Sequence, residues 1–104
     1  MATTLDFIEH VCGQIEGAGI VRHKKMFGEY MVYVNDKPIL LVCDSTVYVK
    51  ILPCLDELCA DCEKGVPYNG AKEHYILDME SAEFAKQVVA ALEPVTPLPK
   101  SKRR

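Results

Sequence analysis

Between residues 20 and 51 the chain repeats one arrangement: an apolar segment, two or three turn residues, then another apolar segment. Parallel strands need a long crossover between them, so segments joined this closely pair as antiparallel neighbours. The first, residues 20–26, carries the basic run Arg22-His23-Lys24-Lys25. Phe27-Gly28-Glu29 turns the chain into residues 30–34, where Tyr30, Val32 and Val34 share one side and Met31 and Tyr33 the other. Asn35-Asp36-Lys37 has hairpin-turn chemistry. Pro38 has no backbone N–H to give a ladder and suits only the start of the next strand. Ile39-Leu40-Leu41-Val42-Cys43 is apolar on both faces, which marks a central strand. Asp44-Ser45 turns again. Residues 46–51 then alternate, with Val47, Val49 and Ile51 inward and Thr46, Tyr48 and Lys50 outward.

Helical patterns flank this run. Thr3 or Thr4 can cap a first helix. Leu5, Ile8, Cys12 and Ile15 then recur at helical spacing, with Val11 beside them, and Gly17 and Gly19 end it. His10 lies on the polar face. Pro53 suits the first position of a second helix, with Leu55, Leu58, Cys59 and Cys62 on one face, and Gly65 stops it. Val66-Pro67-Tyr68-Asn69-Gly70-Ala71 reads as a loop and residues 73–77 as a last strand. Ser81 caps a final helix whose stripe is Phe84, Val88, Ala91 and Leu92, and Pro94, Pro97 and Pro99 extend the tail. The predicted order is α-β-β-β-β-α-β-α. It describes an α+β fold: two layers, a mainly antiparallel sheet of about five strands, and helices packed on one face. The chain divides into one domain, residues 1–95, and an extended Pro/Lys/Arg-rich tail, residues 96–104.

Charge narrows the function classes. The formal net charge is −3, yet residues 100–104 carry four basic side chains and no acid, which leaves −7 on the rest. An acidic body matches nonspecific duplex binding poorly. No basic leader or apolar run of membrane-spanning length is present, so a cytoplasmic protein is expected, with no membrane partner. The five cysteines are then expected as thiols or ligands, not as a disulfide framework.

Cys54, Cys59 and Cys62 have C-x4-C-x2-C spacing, which overlaps one iron–sulfur class. On a helix, Cys54 would point well away from Cys59, and the other two would pack with Leu55 and Leu58 as small hydrophobes. No metal and no cofactor is therefore expected. Phosphate loops, paired metal-binding histidines and nucleophile elbows are absent from the sequence, so no catalytic residue is assigned and an enzyme is the less favoured reading. Arg22, Lys24 and Lys25 form a basic cluster. With the tail residues Lys102, Arg103 and Arg104 they supply the nucleic-acid alternative. Lysines on a solvated strand edge, where they discourage edge pairing, are the simpler explanation.

Lys25-Met26-Phe27-Gly28-Glu29-Tyr30, followed by Val32-Tyr33-Val34-Asn35-Asp36-Lys37, resembles the signature of the TfoX/Sxy N-terminal domain family. So do the stretch Leu41 through Lys50 and the block Val66-Pro67-Tyr68-Asn69-Gly70-Ala71-Lys72, which is similar to the family's Pro-Tyr-x-Gly-Ala-Lys segment. The resemblance covers nearly the whole chain. It implies an α+β fold with a largely antiparallel sheet. Longer members of this bacterial family regulate natural competence together with a cyclic-AMP-receptor type transcription activator, and carry a second, helical domain. This chain is expected to be the N-terminal domain alone.

The family blocks have structural explanations: Gly28 allows a tight turn, Met26 and Phe27 fill core, and Tyr68 pins its loop. They can equally line a groove or partner face of Lys25, Phe27, Gly28, Tyr30, Tyr48, Lys50, Tyr68 and Lys72. The expected function is a non-enzymatic regulatory module that binds a protein, such as a transcription activator, or a second copy of itself. The alternatives are a nucleic-acid accessory domain, or a small-molecule-binding or catalytic domain around the Tyr/Lys groove.

Overall fold

A computed structural model describes residues 4–26 and 29–98. Helix α1 (Leu5–Gln14) starts at Thr4, whose hydroxyl accepts from the Phe7 N–H at 3.3 Å. It leads into β1 (Val21–Met26), β2 (Glu29–Val34), β3 (Lys37–Cys43) and β4 (Thr46–Lys50). A single 3-10 turn (Pro53–Leu55) and further turns follow, then the short strands β5 (Lys64–Gly65) and β6 (His74–Ile76). Helix α2 (Ala82–Leu92) and a 3-10 turn (Glu93–Val95) complete the described chain.

The α+β architecture is the predicted one. All strands pair antiparallel in one sheet of order β1-β2-β3-β4-β6-β5. After β4 the chain crosses to the far edge, forms β5, and loops back so that β6 enters between β4 and β5. This adds a sixth strand that is only two residues long. Both central hairpins have two-residue turns, Asn35-Asp36 and Asp44-Ser45, with φ of 54°, 68°, 52° and 58°. Positive φ at both central positions twists a turn in the same sense as the strands it joins.

The predicted middle helix is replaced by turns. Only the Cys59 N–H reaches back four residues, to the Leu55 carbonyl at 2.8 Å, while Leu55, Asp56, Ala60 and Cys62 bond three residues back. Its Asp and Cys residues are weak helix formers. Its burial pattern nevertheless survives, since Leu55 and Cys59 are fully buried.

Both helices pack on the same sheet face. Ile8, Val11 and Ile15 of the α1 segment and Ala85, Val88, Val89 and Leu92 of α2 close over Tyr30, Val32, Val34, Leu40, Val42, Val47, Val49 and Tyr75. Each large aliphatic chain buried here stabilises the fold by roughly 1.5–3 kcal/mol. Leu5 and Ile51, both read as inward-facing, are 50% and 37% exposed because they lie just past the covered area. Among the described residues no helix is long and apolar enough to cross a membrane.

Candidate functional site

The helices leave the other sheet face uncovered, and the strand register sets what it presents. Lys24 pairs with Met31, Met31 with Leu41, Leu41 with Tyr48, and Tyr48 with Ile76. Paired residues point to the same face. The result is an apolar row across four strands, with a lysine at the β1 end. All four apolar members are half-buried. A second row runs from Arg22 to Tyr33. A third joins Lys50 to His74, and the His74 ring stands edge-on to Tyr48 with centroids 6.4 Å apart. His74 Nδ1 lies 2.7 Å from the Lys72 carbonyl, an acceptor only, so Nδ1 carries the proton.

A hollow of about 560 Å3 opens where this face meets the loop after β5. Met31 and Leu41 floor it, Pro67 and Tyr68 overhang it, and Glu29, Tyr30 and Cys43 close it. Tyr68 is 61% exposed, whereas Tyr30 is buried, with its ring edge-on to His23 at 5.7 Å. A Glu29 carboxylate oxygen accepts from the Asp44 N–H at 2.9 Å and ties the start of β2 to the β3–β4 turn. Burial, and then the Glu29 and Asp44 carboxylates, push the Cys43 thiol up to about 11.

The structure therefore brings Tyr30 and Tyr68 to one hollow and sets Tyr48 in the adjoining row. Lys50 and Lys72 lie beyond that row, near His74. Lys25 is exposed on β1 opposite Tyr30, on the helix side of the sheet. Arg22 and Lys24 point to the uncovered face, so strand alternation splits the basic cluster. Of the two tyrosines of β2, Tyr33 takes the outward position and Tyr30 the inward one. Phe27, Gly28, Lys102, Arg103 and Arg104 lie outside the described residues. Sequence reasoning missed Met31, Leu41, Pro67 and Ile76. The available signal was the second apolar face of residues 39–43, which the central position of β3 alone does not explain.

A second, more open cleft of about 790 Å3 lies at the other end of the β3–β4 turn, between the starts of the two helices. Phe7, Leu58, Met79 and Phe84 make its apolar wall, and Asp61, Glu63, Asp78 and Glu80 its rim. Cys62 opens into it, half-buried, with fully buried Cys59 next to it and Cys54 exposed. Among the described residues no group of three or more His, Cys, Asp or Glu side chains is placed to hold a metal ion. Burial, then a hydrogen bond with Cys62, then the neighbouring Cys62 and Cys54 raise the Cys59 thiol to about 12. Burial, and next Glu9, raises Cys12 as well. These shifts disfavour the thiolate that nucleophilic catalysis needs.

No known family profile matches the sequence. Over 105 aligned residues the chain is 30% identical to the uncharacterized 12.7 kDa protein in the trpE 5' region of Spirochaeta aurantia. The alignment covers 99% of this chain and 91% of that protein.

Proposed function

We propose, for a chain that belongs to the same family as the Spirochaeta aurantia 12.7 kDa protein, a role as a non-enzymatic regulatory module that binds a protein partner through the uncovered face of its sheet. One observation carries this reading: the apolar row Met31–Leu41–Tyr48–Ile76, which runs beside the hollow under Tyr68 and is rimmed by Arg22, Lys24 and Lys50. Apolar centres with polar rims and exposed aromatic anchors are the anatomy of protein interfaces. The basic rim calls for a partner with an apolar anchor flanked by carboxylates. The upward shifts of the Cys12, Cys43 and Cys59 thiols support binding over covalent catalysis. The TfoX/Sxy resemblance makes a transcription activator the first partner to test.

The test places a photo-crosslinking residue at Tyr48 on the uncovered face, and at exposed Lys86 on α2 as a control, in the native host. A specific adduct from position 48 is expected, absent from position 86 and lost when Leu41→Lys is added to a chain whose circular dichroism is unchanged. Adducts of equal strength from both positions, or adducts that survive Leu41→Lys, overturn the reading. A dimer of this chain as the sole position-48 adduct would make the partner a second copy.

A second reading rests on the exposed Arg22, Lys24 and Lys25 of edge strand β1, where nucleic acid would be held by charge. Binding of that kind weakens steeply between low and physiological salt. A largely apolar protein interface does not.

A further inference from the structure

Cys59-Ala60-Asp61-Cys62 is a C-x-x-C segment held in a turn. The Cys62 N–H donates to the Cys59 carbonyl at 3.0 Å. That is the bond of a tight four-residue turn, which holds its first and last Cα atoms within about 7 Å. Disulfides span Cα separations of roughly 4.4–6.8 Å. Cys62 neighbours the Cys59 thiol and helps to raise it. Their environments differ in a useful way: Cys62 is half-buried in the cleft wall, and Cys59 is fully buried beside it. One sulfur is reachable from solution and the other is placed to complete an exchange. The turn fits a dithiol rather than a fragment of a metal site, because no further ligand set converges on it among the described residues.

We propose that Cys59 and Cys62 are a redox dithiol, oxidised by small cationic disulfides that enter the acidic-rimmed cleft. The Cys62 thiolate attacks one sulfur of the disulfide, whose S–S bond breaks. One half leaves as a thiolate and takes up a proton, while the other stays on Cys62 as a mixed disulfide. Cys59, after giving up its proton, attacks the Cys62 sulfur and expels the second half, which is protonated in turn. The protein loses two electrons and two protons, and the disulfide becomes two thiols. The charge preference follows from Asp61, Glu63, Asp78 and Glu80 around the mouth of the cleft, where His10 is the one basic side chain among the described residues. Burial of Cys59 makes the closing step slow, since little of this thiol is ionised. It also makes the product resist reduction, since a high-pKa thiol is a poor leaving group.

The experiment uses the full reduced chain with cystamine and with glutathione disulfide, followed by intact mass, thiol titration and peptide mapping. Cystamine is expected to remove two thiols and the mass of two hydrogens from Cys54→Ser, with a Cys59–Cys62 link in the map; wild type is expected to show the same link together with a mixed disulfide on exposed Cys54. Glutathione disulfide, being anionic, is expected to react roughly tenfold more slowly at low salt, with the gap closing at high salt. Cys59→Ser should stop at the mixed disulfide on Cys62, and Cys62→Ser should give no linked product. A Cys54–Cys59 link, an adduct confined to Cys54, or equal rates for the two disulfides at low salt each overturn the proposal. The wild-type and Cys54→Ser results decide it even if a buried-site variant fails to fold.

Discussion

Asp36 occupies the second central position of the β2–β3 turn at φ 68°, a conformation that costs an ordinary L-residue about 1–2 kcal/mol. Asn-Gly is the preferred pair for this turn. Asp36→Gly is therefore expected to stabilise the domain by roughly 0.5–1 kcal/mol, after the larger backbone entropy of glycine is counted. For a chain of this length the melting midpoint should rise by a few degrees. The neighbouring Asn35 should not be changed in the same test. Its side chain accepts from the Ile20 N–H at 2.9 Å, so its loss would unpin the entry to β1. Cys59 offers a different residue-scale test. Its pKa lies at about 12 in the folded chain, against an ordinary 9.0. Between these values the unfolded chain releases the proton and the folded chain keeps it. The stability is fully present below pH 9 and falls as pH rises towards 12. Urea midpoints under reducing conditions should drop from pH 8 to pH 10, and drop less in Cys59→Ala. The slope should shrink and not vanish, because Cys43 and Tyr75 are raised in the same direction.

At the scale of elements, α2 shows how a local signal and a tertiary one combine. Ser81 was readable as its cap, and its hydroxyl accepts from the Phe84 N–H at 3.2 Å. Ser81→Ala should cost about 1 kcal/mol, seen as a lower thermal midpoint with an unchanged folded spectrum. The stripe along the helix was readable too, though burial shifts it towards Ala85, Val88, Val89 and Leu92 and leaves Phe84 at the mouth of the acidic cleft. The segment after β4 had the same apolar spacing and formed no α-helix. Apolar periodicity reports which side chains will be buried. It does not report whether the backbone between them has the propensity to remain helical. The i,i+3 spacing itself keeps Cys59 and Cys62 side by side, in the turn as it would on a helix.

Across the whole molecule, the β2–β3 hairpin is fastened to the end of α2 by one side chain. The Lys37 ammonium lies 3.0 Å from the Glu93 carboxylate and donates to the Glu93 carbonyl at 2.9 Å. Both side chains are largely shielded, and a cation beside a helix C-terminus is favoured by the helix dipole. Lys37→Met should cost about 1 kcal/mol, measured by urea unfolding, with most of the loss retained in high salt because the pair is shielded. The same scale organises the candidate surfaces. Strand order puts the basic edge β1 at one side of the sheet and the short strand β5 at the other. Between them lies the uncovered face, and helix packing opens the acidic cleft behind it. A regulator that binds through the uncovered face leaves this cleft free for redox exchange, so the two proposals can be tested independently.

Residues 20–51 determined their own antiparallel pairing, because turns this short permit no other connection. Alternation within each strand likewise determined that one face would be buried and that Tyr48 and Lys50 would point away from it. The helix caps at Thr4 and Ser81 were equally local. Only the tertiary structure decided where the pieces meet. It carried β5 past β4 to the far edge, sent Tyr30 inward and Tyr33 outward, and hung Tyr68 over Met31 and Leu41. Those outcomes depend on contacts between residues far apart in the chain. Periodicity and turn chemistry act over a few residues, and they hold no information about which distant surface a buried side chain will find.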